Sequence, residues 1–372
     1  MARILVTGGA GFVGSHLVEA LLAGGHTVRV IDSLVPQVHG PGARPRYLPP
    51  DVEFIHADIR DQAALERALA RVEVIFHQAA EVGVGQSMYE IERYVGANTY
   101  ATAVLLQRLS RGGHRVEKLI IASSMSIYGE GAYRCAEHGP VFPAQRSLQQ
   151  LADRQWEMCC PTCGHPVQPE PTDEAKPLRP ASVYAISKLD QELMGLALGR
   201  AYGLPTVALR YFNIYGRRQS LSNPYTGIAA IFGSRLLNRR PPLIFEDGRQ
   251  TRDFTHVSDV VHANLLAMER DAANFEAINV GTGRPLTVLE VATTLGRLLG
   301  VEVEPELSGA FRAGDIRHCY ADIGKARRLL GYEPRISFED GMADLVGWMR
   351  EQEATDGFEQ ARRELELRGL AR

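Results

Sequence analysis

Apolar residues in this chain fall into short, dense runs separated by stretches of helical period. "RILVTG", "HTVRVID", "VEFIHAD", "VEVIFHQAA", "VEKLIIASS", "PTVALRYFN" and, much later, "EAINVG" read as strands. Their apolar residues scarcely alternate with polar ones, so each is predicted to be buried on both faces. Segments such as Gly14 to Ala23 and Glu90 to Arg111 lie between them and repeat apolar residues at helical spacing. Strand–helix alternation of this kind predicts an α/β fold, a doubly wound parallel sheet with helices on both sides.

The rhythm breaks three times. Residues 131–172 become rich in Pro, Cys and polar groups, which predicts an inserted module. Beyond Asn213 the pattern loosens into turns, a helix and a short strand in "LSNPYTGIAAIFGSRLLNRRPPLIFEDG", with helical stretches near 287–299 and 322–330. The end, "EQEATDGFEQARRELELRGLAR", reads as a charged surface helix or a frayed tail. The expected layout is a first domain over 1–212 carrying the 131–172 insertion, with 252–282 returning to it. Residues 213–350 are a second, mainly ligand-binding region, and 351–372 a charged tail.

Composition narrows the function. With 372 residues and a net charge of −3 the chain has no global basic field, so nucleic acid is not an expected partner. An anionic ligand must then be held by local arginines. No apolar run reaches membrane-spanning length, and no basic and apolar leader precedes the first strand, so a cytoplasmic protein is expected. Of the five cysteines, Cys135, Cys159, Cys160 and Cys163 lie in one stretch. In a reducing compartment that clustering points to metal more than to disulfides.

The first strand runs into "TGGAGFVG", where Gly8, Gly11 and Gly14 form a loop that opens a helix. Such glycines let the backbone approach a pyrophosphate, and the helix N-terminus offers N–H donors and a positive dipole. Asp32 ends the second strand, where a carboxylate accepts hydrogen bonds from ribose hydroxyls and repels a 2′-phosphate. No arginine follows it in Ser33-Leu34, so the expected cofactor is NAD and not NADP. Asp58 ends the third strand within reach of an adenine edge. "HQAA", His77 to Ala80, ends the fourth with small residues that permit close approach, His77 itself being read as packed beside the sheet.

Tyr184 and Lys188 stand four residues apart in "SVYAISKLDQE" and share one helix face. A free tyrosine is phenolate in only about one molecule in a thousand at neutral pH. A neighbouring ammonium and a cationic nicotinamide ring both favour the anion. Ser124, at the C-terminal end of the fifth strand, can hold the same substrate hydroxyl. The three supply a proton acceptor, a charge tuner and a positioning group.

With these motifs, "TGGAGFVGSHL", "SSMSIYG", "YAISK", "LRYFNIYG" and "RDFTHVSD" resemble the extended short-chain dehydrogenase/reductases, the NAD-dependent sugar epimerase/dehydratase group. The resemblance covers about residues 1 to 350. It implies a Rossmann domain holding tightly bound NAD, a smaller C-terminal region holding a nucleoside-diphosphate sugar, and a homodimer. It assigns catalysis to Ser124, Tyr184 and Lys188. It places the cofactor against Gly8, Gly11, Phe12, Val13, Gly14, Asp32, Asp58 and Ile59, and against Gln78, Ala79, Ala80, Asn98, Tyr184, Lys188 and Tyr211. It places the substrate against Ser124, Ser126, Tyr184, Asn213, Arg252, Arg312 and Asp315. Two arginines and an amide suit a diphosphate.

Dehydratases of this group carry acidic residues just after the catalytic hydroxyl, where this chain has Met125 and Ser126. The expected reaction is therefore 4-epimerisation. Tyr184 takes the 4-hydroxyl proton as C4 is oxidised, and the 4-keto sugar turns over and is reduced on its other face. "YRC", "CPTCG" and "LSNPYTGIAAIF" resemble a bacterial subgroup of dTDP-L-rhamnose 4-epimerases, so a dTDP-sugar or UDP-sugar is expected. Cys319 stands near a position that limits pocket size in UDP-sugar 4-epimerases, although a buried thiol is as often plain packing. The rival readings are an NAD-dependent nucleotide-sugar 4,6-dehydratase and a non-catalytic NAD sensor that uses the insertion as a protein contact.

The insertion holds Cys135-x-x-His138 and Cys160-x-x-Cys163, a spacing that matches a structural four-ligand zinc site, with Cys159 and His165 as spares. The alternative is a reduced cysteine-rich loop without metal. So small and polar a module buries too little apolar surface to order itself, and zinc would supply the difference. It is expected at the mouth of the active site, as part of a substrate lid.

Overall fold

The computed structural model describes residues 1–40, 44–312 and 314–372. The seven apolar runs form one parallel sheet: β1 (Arg3–Thr7), β2 (Thr27–Asp32), β3 (Glu53–His56), β4 (Val74–His77), β5 (Lys118–Ser124), β6 (Thr206–Tyr211) and β7 (Ala277–Val280). Their spatial order is β7–β6–β5–β4–β1–β2–β3. Burial on both faces follows from the strand period of two. Ile4 and Val6 of β1 pack into one core with Val28, Val30, Ile120 and Ala122. Leu5 joins Ile31, Leu119 and Ile121 in the core on the opposite face. The order reverses between β1 and β4, which opens a crevice at the carboxyl ends of these strands.

Two helices frame that crevice. α1 (Phe12–Ala23) follows the glycine loop directly. α2 (Val183–Tyr202) is capped by the Ser182 hydroxyl, which accepts from the Ala185 amide at 3.1 Å, and ends on left-handed Gly203. The stretch from Glu90 to Arg111 is helical but not uniform: a π-helical turn, Val95–Tyr100, interrupts it and carries Asn98.

A smaller sheet joins Asn213–Tyr215, Thr251–His256, Pro285–Thr287 and His318–Cys319. Beside it, helices Ile228–Leu237, Val288–Leu299 and Phe338–Met349 enclose a second core with Phe232, Leu236, Val291, Leu295, Met342 and Leu345. Residues 252–256 stay in this smaller sheet. The chain comes back at helix Val257–Glu269, which packs on α1, and at β7, which pairs with β6.

The insertion is a three-stranded antiparallel sheet of Ala132–Cys135, Gly139–Val141 and Gln168–Glu170. Its own core is small: Tyr133, Cys135, Val141, Met158, Cys160 and Val167. The C-terminal stretch departs from expectation in part. It is a charged surface helix, α3 (Phe358–Leu367), and not a frayed tail, yet it is not merely solvated, because it docks with Ala361 and Leu365 buried. Phe358, Ala361 and Leu365 share one face of an otherwise charged helix, and that face supplies the apolar contact. Among the described residues no helix is long and apolar enough to cross a membrane.

Candidate active site

One cavity of about 580 Å³ runs from the glycine loop across the ends of the strands to the smaller sheet. At its first end, Gly8 adopts φ +68°, and a Cβ there would lie 2.7 Å from the Ala79 backbone. A Cβ on Gly14 would lie 2.2 Å from the Gly8 carbonyl oxygen. Loop, helix and strand end are thus packed backbone to backbone. Gly11 opens α1 without a side-chain cap, so the first-turn amides are available to an anion. These features fit a pyrophosphate. Beyond them the Asp32 carboxylate is fixed by the Ala10 amide at 3.0 Å and the Leu34 amide at 2.9 Å. Ser33, Val35, Val38 and His39 line the cavity next to Asp32, and among the described residues no lysine or arginine does so there. A ribose diol suits this end, whereas a 2′-phosphate would meet uncompensated negative charge.

The other expected cofactor contacts face the same cavity, from Phe12 and Val13 through Asp58, Ile59 and Gln78–Ala80 to Tyr184, Lys188 and Tyr211. Asn98 is the exception. It lies behind the wall, accepting from the Glu81 amide at 2.8 Å and donating to the Glu81 carbonyl and the Ser187 hydroxyl. The π turn aims its side chain at that backbone, so Asn98 braces the cavity and does not line it. His77 is packed beside the sheet, between the Thr7 and Thr102 hydroxyls, and burial pushes it down to about 3, so it stays neutral.

Ser124, Tyr184 and Lys188 meet in the middle of the cavity. The Ser124 Oγ accepts from the Ser126 hydroxyl at 2.9 Å. The Ser87 hydroxyl accepts from the Tyr184 amide and anchors the first turn of α2. Burial raises the phenol pKa, and the Ser124 contact pulls it the other way. Lys188 does not act as expected here. Its Nζ donates to Gln191 Oε1 at 2.7 Å, and Gln191 is in turn held by Thr102 and His77. Burial alone drives the Lys188 ammonium down to about 7. At Tyr184 burial outweighs the Ser124 contact, so the polypeptide by itself holds the phenol above its ordinary value.

At the far end, Asp315 joins two arginines: Arg252 Nη2 donates at 3.0 Å and Arg312 Nη2 at 2.6 Å. Burial would push the Asp315 carboxyl up, but Arg312 and Arg252 together hold it at about 2. Asp315 faces the cavity as an orienter of both guanidinium groups. Arg312 also lies over the Phe245 ring, 4.9 Å from its centroid. Asn213 lines the same end, and among the described residues its buried Oδ1 has no partner. An amide so placed is oriented by whatever ligand it meets. The donors at this end suited to a diphosphate are the guanidiniums, of which Arg252 also donates to the Thr251, Ile316 and Arg317 carbonyls, and the side-chain N–H groups of Asn213.

The sequence reading did not single out several wall residues. Gln219, whose buried Oε1 has no partner among the described residues, lines the cavity, as do Phe245, Tyr225 and the face of α3. Only α3 left a legible trace, the spacing of Phe358, Ala361 and Leu365. Two further expectations fail. No residue of the insertion faces the cavity, so it is not a lid. It grips the arginine segment from outside: Arg146 donates to the Asp315 carbonyl at 3.2 Å, and Arg317 to Glu157 at 2.5 Å. Cys319 is buried against Thr172, away from the cavity, and does not set its size.

Within the insertion, Cys135, His138, Cys160 and Cys163 bring their ligand atoms within 4.8 Å of one another. Cys135 Sγ lies 3.7 Å from Cys163 Sγ and 3.6 Å from His138 Nδ1, and Cys160 Sγ lies 3.7 Å from the same nitrogen. Of the spares, His165 pairs with Glu137, and Cys159 is exposed.

Residues 4–147 match the NAD dependent epimerase/dehydratase family, and residues 164–345 match a family described as GDP-mannose 4,6 dehydratase. The chain is 36% identical to a dTDP-L-rhamnose 4-epimerase of Burkholderia thailandensis, over 94% of this chain and 95% of that one. It is 33% identical to a putative UDP-glucose 4-epimerase of Methanocaldococcus jannaschii, over 95% and 100%. The crystal structure of Thermotoga maritima UDP-glucose 4-epimerase with UDP-glucose superposes with a TM-score of 0.76, at 34% identity over 94% of this chain and 99% of that one.

Proposed function

Since the chain belongs to the NAD-dependent epimerase/dehydratase family of extended short-chain dehydrogenase/reductases, we propose that it is a nucleotide-sugar 4-epimerase working on a dTDP- or UDP-linked hexose. The observation that carries this reading is the inventory of acids in the cavity wall. Among the described residues the carboxylates there are Asp32, Asp58, Glu81 and Asp315. Asp32 and Asp58 belong to the dinucleotide end, Glu81 is paired with Arg93 at 2.8 Å, and Asp315 is held by two arginines. None is free beside Ser124 to remove a C5 proton, as dehydration requires.

Bound NAD⁺ supplies the hydride acceptor and a positive ring beside the phenol. Tyr184 takes the proton of the sugar 4-hydroxyl and later returns it. Ser124, held by Ser126, positions the same sugar oxygen. Arg252 and Arg312 grip the diphosphate, so the 4-keto sugar can present either face while its far end stays anchored. Lys188, on the same face of α2, lines the cavity with Tyr184. Incubation with dTDP- and UDP-sugars, followed by NMR of the products, tests the reading. A C4 epimer of unchanged mass is expected, and loss of water would overturn it.

The four ligands in the insertion are proposed to hold zinc. A tetrahedral ion with bonds of about 2.3 Å to sulfur and about 2.0 Å to nitrogen keeps sulfurs about 3.8 Å apart and sulfur–nitrogen pairs about 3.5 Å apart. The separations here, 3.6 to 3.7 Å, support that fit. The ion's task is structural, because the reaction already has its acid, base and redox partner.

A further inference from the structure

Both family matches stop before α3, the second ending at residue 345, yet α3 closes one side of the cavity. We propose that the C-terminal segment 357–372 is a working wall of the sugar subsite, and that its apolar face selects a nucleotide-linked deoxyhexose over its fully hydroxylated counterpart. This rests on the 4-epimerase reading.

The segment is tied to both halves of the molecule. Tyr89, from the large-sheet half, donates to Glu364 at 2.9 Å, and Tyr225, from the other half, donates to it at 3.1 Å. The two phenols are 2.6 Å apart, and the Arg368 guanidinium lies 4.1 Å from the Tyr89 ring centre. At the start of the helix Arg235 donates to Glu359 and covers the Phe358 ring. At its end Arg372 and Phe311 exchange backbone hydrogen bonds of 2.8 and 3.0 Å, one residue from Arg312. The segment thus runs from the loop beside Tyr184 to the diphosphate arm.

What it shows the cavity is apolar. Phe358, Ala361, Leu365 and Leu370 line it, facing the side formed by Val82 and Val84. The Leu365 side chain packs so closely on the Val84–Ser87 turn that a Cβ on Gly85 would meet it at 3.3 Å. A sugar hydroxyl pressed against this surface loses water and gains no partner, which costs about ten- to a hundredfold in affinity. A methyl group or a bare ring carbon loses nothing. Among the described residues Arg362 is the cation this helix adds to the cavity lining; Glu359 at 3.2 Å and Glu366 at 3.6 Å flank it, and its buried Nε has no hydrogen-bond partner.

The test compares the full chain, a variant ending at Asp356, and Leu365→Asn within the intact helix. Each is assayed on dTDP-linked 6-deoxyhexoses and their 6-hydroxylated counterparts, with bound NAD measured in parallel. The full chain should favour the deoxy sugars by about tenfold or more in kcat/KM. Both variants should lose most of that preference, chiefly by a raised KM for the deoxy sugar, and retain their NAD. If truncation prevents folding, Leu365→Asn decides. An unchanged preference in a variant that turns over, or no preference in the full chain, overturns the wall while leaving epimerisation intact. Absence of any C4 epimer, from any sugar and any variant, would sink the epimerase reading instead.

Discussion

Tyr184 sits in a contest between burial, which raises its pKa, and the Ser124 hydroxyl, which lowers it. Tyr184→Phe should cut turnover at least about a thousandfold while leaving bound NAD unchanged, because only the proton path is lost. Full activity in that variant would remove the tyrosine from the reaction. Lys188 supplies a stability test. Its ammonium is driven down to about 7 by burial, so the fold carries a desolvation penalty that is complete below pH 7. Above pH 7 the folded lysine is neutral while the unfolded one stays charged until about 10.5, so the penalty shrinks as pH rises through that window. Lys188→Met should accordingly lose activity yet melt higher than the parent at pH 6, with the gap narrowing by pH 9. A lower melting temperature at pH 6 would mean that the lysine is not a burden on the fold.

The insertion behaves as an element with a task outside the cavity. Its core is six residues, two of them the proposed ligands Cys135 and Cys160, so its order depends on the ion more than on apolar burial. The paired change Cys160→Ser and Cys163→Ser should abolish one bound zinc per chain, measured by elemental analysis, and lower the melting temperature. NAD should stay bound, since the cofactor groove shares no residue with the module. KM should rise, because Arg146 and Glu157 steady the segment that carries Asp315 and Arg317. Zinc-free parent protein with an unaltered melting curve would contradict this. The cysteine spacing made the Cys135, His138, Cys160 and Cys163 cluster legible in the sequence. The position of the module was not legible, because it depends on Arg146 and Glu157 finding partners in the segments around Glu246 and Asp315 to Arg317.

Across the whole molecule, one unpartnered apolar face stands out. Ile186 and Leu193, seven residues apart on α2, are about half exposed, as are Ile91, Val95 and Tyr100 on the neighbouring helical stretch. A face of this kind fits a twofold contact between copies of the chain. Leu193→Arg should convert the expected homodimer to a monomer in sedimentation, and a parent that already sediments as a monomer would refute the contact.

The sequence by itself determined the sheet, because seven runs buried on both faces have only a parallel, helix-covered arrangement open to them. It also determined the two ends of the chemistry: glycines that must approach a backbone, and Tyr184 and Lys188 on one helix face. Those signals are local, carried by period and spacing. The tertiary structure alone decided which long-range surfaces meet. It turned Asn98 behind the wall, pointed Lys188 at Gln191, set the insertion outside the cavity and brought the last helix over it. Each of these depends on contacts between residues far apart in the chain, where burial and charge pairing choose among partners that no local pattern distinguishes.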